Sequence, residues 1–168
     1  MIYMKNQLPI TERENYISFH ETSYKDDLKH AEDNAIKHPR WAVISGYYAM
    51  HDITKLFLAK KFAVKITGPE IHESAIVELK ERIHDGKTRE KLLKLLASAK
   101  DMYFNVERLK ENTLPEMLRQ GRQERRKSQY YREDYTKEKK TTIETSSYFL
   151  DNIAKPFIKI MEALLHAD

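Results

Sequence analysis

Residues 40–62, RWAVISGYYAMHDITKLFLAKKF, constrain the fold more than any other part of the chain. Wound at 3.6 residues per turn, this stretch is apolar on most of its circumference, which marks a helix enclosed by other helices. Ala42, Gly46 and Ala49 form a stripe of small side chains where a neighbouring helix can approach closely. The rest of the chain must supply the enclosing partners, and 168 residues suffice for one domain with a single sizeable core. The expected fold class is all-α, a mostly antiparallel bundle of five to six helices spanning 1–168, with its core at about 25–165 and an N-terminal extension at 1–15.

The partner helices are readable from caps and spacing. Thr11 with Glu14 fits a capping box, and Ile17, Tyr24, Leu28, Ala31 and Ala35 then keep helical spacing to about Lys37, with a break conceivable at His20–Ser23. Pro39 separates this helix from the central one and suits a first turn. After Gly68-Pro69, a short helix is predicted over Ile71–Ile83, with Ile76, Leu79 and Ile83 inward, followed by a turn at His84–Lys87. From Arg89, Leu92, Leu96, Met102, Val106 and Leu109 predict a helix to about Glu111, and Thr113 with Glu116 predicts a kink or fresh start. A last helix, Thr142–Leu165, carries Ile143, Leu150, Ile153, Phe157, Ile160 and Leu164. Pro156 lacks the amide that would bond back toward Asn152, so a kink is expected. No strand-like alternation is evident.

Charge is concentrated in one place. Residues 119–140, RQGRQERRKSQYYREDYTKEKK, hold nine basic and four acidic side chains, leaving 21 basic and 22 acidic residues elsewhere. Arg119, Arg122 and Arg126 share one helical face, and Tyr130, Tyr131 and Tyr135 interleave the cations. Guanidinium forks for phosphate and flat rings for bases suit a polyanion with unstacked bases, although a solvated, salt-bridged face has the same composition. Lys137–Lys140 is the best candidate for a mobile connection.

Other chemistries are poorly supported. The absence of cysteine removes disulfides, thiolate zinc sites and cysteine nucleophiles. Seven histidines include no HExxH motif and no pair four residues apart, and no GxSxG, P-loop or GxGxxG motif occurs, so neither a metal nor a cofactor is expected. The adjacent carboxylates Asp26-Asp27 and Glu133-Asp134 point to different sides of a helix, which disfavours paired acid–base work. No apolar run approaches the roughly 20 residues a bilayer span needs, and no signal-like leader opens the chain, so a cytoplasmic protein without a membrane role is expected.

Tyr47, Tyr48, Ala49, Met50, Lys55 and Leu58 in the central segment resemble the second helix of HEPN domains (higher eukaryotes and prokaryotes nucleotide-binding). An acidic-basic helix before it, His72 opening a short third helix, and an Arg-then-Tyr segment before a kinked final helix agree in order from about Lys25 to Leu165. The resemblance implies a helical bundle, often homodimeric, that binds RNA or nucleotide. Many such proteins are ribonuclease toxins paired with a small nucleotidyltransferase-like antitoxin. The usual family signature is Arg, four to six residues, then His. Here Arg125 and Arg126 are followed after four residues by Tyr130 and Tyr131, and no histidine lies between His84 and His166.

Cleavage through a 2′-hydroxyl needs a base near neutral pH and an acid for the leaving oxygen, roles that suit histidine and not tyrosine, whose ordinary pKa is about 10. The resemblance therefore implies binding by Arg119, Arg122, Arg125, Arg126, Tyr130 and Tyr131. The enzyme alternative is a metal-independent endoribonuclease using Arg126 with Tyr131 or His51. A third reading is a protein–protein interaction module.

Overall fold

The computed structural model describes the backbone of residues 4–67, 71–120 and 143–167; the side chains of 4–6, 67, 71 and 107–120 lie outside the description. A strand β1 (Met4–Gln7) precedes helices α1 (Ile10–Asn34) and α2 (Pro39–Phe62). Strand β2 (Val64–Thr67), α3 (Ile71–Arg82) and α4 (Gly86–Gln120) follow. Helix α5 (143–149) then passes through a π-helical turn, Leu150–Ala154, into α6 (Lys155–His166). The all-α class is correct, with one amendment: β1 and β2 pair antiparallel, Met4 opposite Thr67 and Gln7 opposite Val64.

Helix α2 is the centre, in contact with α1, α3, α4, α6, β2 and the π turn. Tyr47, Ala49, Met50, Ile53 and Leu58 are fully enclosed, and each large side chain among them contributes about 1.5–3 kcal/mol by leaving water. The small-residue stripe does what its composition implies: Phe149 and Leu150 pack directly against Gly46. Pro39 occupies the first turn of α2. Ala63 ends it in the left-handed region, φ 54°, with its N–H bonded to Ala59 and Leu58 carbonyls, and this reversal starts β2.

Helices α1 and α2 run antiparallel. Arg13 meets the Lys60 carbonyl, His20 meets Asp52 and His30 meets Ser45, so partners rise along α2 as they fall along α1. Helix α1 is unbroken at His20–Ser23 because His20 and Tyr24 face packed neighbours there. It also starts without the Thr11–Glu14 box: Pro9 is the N-cap residue and its carbonyl accepts the Glu12 amide. The start of the chain is part of the domain, since Leu8 is buried and donates its amide to Ala63.

Three further boundaries differ from the sequence reading. Asp85 accepts the Thr88 amide and hydroxyl, so α4 opens at Gly86, before Arg89. Helix α4 then continues to Gln120 without a break at Thr113–Glu116, carrying Pro115 within it. The disturbance expected at Pro156 takes the form of the π turn just before it, where the Lys155 amide bonds to Leu150, five residues back. A missing amide at Pro156 lets the preceding turn widen without a sharp break. Gly68-Pro69 and Lys137–Lys140 lie outside the described residues.

Candidate functional site

Most sequence-predicted binding residues fall beyond the description. Arg122, Arg125, Arg126, Tyr130 and Tyr131 lie outside the described residues, and only the backbone of Arg119 is described, in the last turn of α4. The 22 residues 121–142 stand between the end of α4 and the start of α5.

His51 is described, and its setting is buried and aromatic. It is 6% exposed on α2, with Nε2 3.1 Å from Nδ1 of His72 on α3. The Tyr47 hydroxyl lies 2.5 Å from that same His72 nitrogen, a hydrogen bond whose direction follows the His72 tautomer. Tyr103 from α4 stacks on Tyr47 at 4.5 Å, and Phe104 meets His72 edge-on at 5.4 Å. Nδ1 of His51 has no hydrogen-bond partner among the described residues. Burial, then the neighbouring His72 and Lys55, push the His51 pKa down to about 3. His51 is therefore a neutral core histidine at physiological pH. Burial and then the neighbouring Tyr103 likewise hold the Tyr47 hydroxyl above its ordinary range.

A second polar cluster lies in the α1/α2 seam, where sequence reading expected none. His20 Nδ1 is 2.8 Å from Asp52 Oδ1, and Asp27 lies near enough to Asp52 to feel both its charge and a hydrogen bond from it. Burial, then that hydrogen bond and the Asp52 and Asp26 charges, push the Asp27 pKa up to about 7. A buried carboxyl beside a second carboxylate holds its own proton more tightly. Lys55 completes the seam, its ammonium disfavoured by burial and partly supported by Asp52. Asp27 thus does pair with a carboxylate, although its partner is 25 positions away and not the adjacent Asp26.

The described residues also form an open cleft, about 630 Å³ in volume, between α4 and the α5/π-turn junction. Helix α4 therefore has two working flanks: Tyr103 and Phe104 join the histidine cluster, while Lys91, Lys94 and Met102 face the cleft. Among the described residues, no group of three or more His, Asp or Glu side chains is placed to hold a metal ion, and no helix is long and apolar enough to cross a membrane. No family model, curated protein or solved structure matches the chain.

Proposed function

We propose that this chain is a HEPN-like helical protein that binds RNA, as a homodimer, through Arg119, Arg122, Arg125, Arg126, Tyr130 and Tyr131. The observation that carries the reading is charge localisation: a net +5 with three tyrosines in residues 119–140, against a nearly neutral remainder. Arginine forks neutralise phosphates, and tyrosine faces stack unpaired bases. The central position of α2, the helix that carries the family resemblance, supports the same reading.

Binding without cleavage is favoured over the ribonuclease alternative. His51, the histidine that alternative would recruit, is buried and resists protonation, which removes it as an acid at neutral pH. Incubating the protein with single-stranded RNA in a metal chelator tests the choice. The proposal expects RNA retained by the protein and recovered intact. Cleaved RNA that survives as intact strand with an Arg126→Ala variant establishes the enzyme, and no retention at all leaves the interaction-module reading.

A further inference from the structure

We propose that His72 is a proton-operated latch: as a neutral ring it ties the first turn of α3 to α2, and on taking up a proton from solvent it releases that turn. The geometry converges on one nitrogen. Nδ1 of His72 faces the Tyr47 hydroxyl at 2.5 Å and Nε2 of His51 at 3.1 Å, both on α2.

One arrangement of protons satisfies these groups together. Tyr47 is fully enclosed, and His72 Nδ1 is the partner that the described residues give its hydroxyl. A buried O–H needs an acceptor, so that nitrogen is bare and His72 carries its proton on Nε2. His51 Nε2 then donates to the same nitrogen, which leaves His51 Nδ1 bare. This fits the lack of a partner at that atom among the described residues, because a buried N–H there would go unmatched.

A proton on Nδ1 turns it from acceptor to donor. It then confronts two donors, the Tyr47 O–H and the His51 N–H, and both hydrogen bonds fail together. Neither neighbour relieves the clash. Burial and then Tyr103 hold the Tyr47 hydroxyl protonated, while burial, His72 and Lys55 keep the His51 pKa at about 3. From α4 the ring meets Tyr103 at 5.9 Å and Phe104 at 5.4 Å. On α3 itself, Glu73 follows it in the first turn, where the positive end of the helix stands. His72 is half-buried, so solvent protons reach it. What the latch covers is aromatic: His72 stacks on Tyr47 with ring centres 5.1 Å apart, and Tyr47 stacks in turn on Tyr103. Release of the turn bares those two rings.

None of these residues belongs to 119–140, so the latch stands apart from the RNA reading. Nitrogen-15 NMR of the full chain labelled at histidine tests it. At pH 7.5, His72 should show a bare Nδ1 and a protonated Nε2. Lowering the pH to 5, across the ordinary histidine range, should protonate His72. In step, the Ala75 and Ile76 amides of α3 should lose hydrogen-exchange protection while Met161 of α6 keeps its own. Tyr47→Phe removes one donor and should move this transition to higher pH. His72→Phe keeps a stacked ring with no proton to take up and should abolish it. A protonated Nδ1 at pH 7.5 in the parent overturns the proposal without recourse to a variant. So does protection at Ala75 that survives at pH 5, protection lost at Ala75 and Met161 alike, or a loss that persists in His72→Phe.

Discussion

A Cβ built on Gly46 would lie 2.8 Å from Cε1 of Phe149, closer than any ordinary contact. Phe149 is itself wholly buried, so its ring has nowhere to retreat. Gly46→Ala gains up to about 1 kcal/mol of helix propensity and loses about 1–3 kcal/mol to overpacking. The expected outcome is a net loss of about 1 kcal/mol in urea unfolding. A stabilised variant would refute the close packing of α2 against α5.

Ser146, also fully buried, donates to the Ala35 carbonyl at 2.8 Å and so satisfies an acceptor left open at the end of α1. Its hydroxyl also lies 3.0 Å from the Ile143 carbonyl within α5. Ser146→Ala should cost about 1–2 kcal/mol, measured by chemical denaturation, because a partly buried carbonyl loses its donor. A cost near zero contradicts that pairing.

His51 gives the fold an acid-sensitive element. Its folded pKa, about 3, lies below the ordinary 6.5, so the unfolded chain takes up the proton first. Its stability contribution is present above pH 6.5 and is lost as pH falls toward 3. Unfolding measured across that range should show a shallower acid loss in His51→Leu than in the parent. Identical slopes would mean that His51 is solvated.

Asp27 acts in the opposite sense. Its folded pKa, about 7, lies above the ordinary 3.8, so the folded state holds the proton more tightly. Its contribution is complete below pH 3.8 and is lost as pH rises through 7. Asp27→Asn keeps a donor toward Asp52 without a charge. It should be more stable than the parent at pH 8 and should flatten the pH 4–7 dependence, read from thermal midpoints. A variant less stable at pH 8 argues against a raised Asp27 pKa.

Much of the architecture was legible because apolar patterning is strongest where burial is deepest. The all-round apolarity of α2 and its Ala42, Gly46, Ala49 stripe identified both the central helix and the face that a neighbour approaches. The β1/β2 ribbon was not legible: only Val64 and Ile66 alternate around Lys65, and their partner strand lies about 60 positions earlier. Pro156 signalled a disturbed helix without specifying that the backbone would widen to a π turn. The side-chain clusters escaped for a different reason. Asp27 with Asp52 and His51 with His72 become neighbours only when α1 and α3 dock on α2, and no local spacing encodes those meetings. The cleft was equally hidden, since Lys91, Lys94, Tyr148 and Asn152 are unremarkable until α4 and α5 face each other.

The most direct measurement of the central claim is the fluorescence anisotropy of a labelled single-stranded RNA titrated with the protein across a salt series. The account predicts saturable binding whose log affinity falls linearly with log salt, with a slope of about −0.7 per phosphate contacted. An Arg122→Ala/Arg126→Ala variant should bind more weakly, with a slope shallower by about 1–2. No binding by the parent, or a variant with the same affinity and slope, contradicts it.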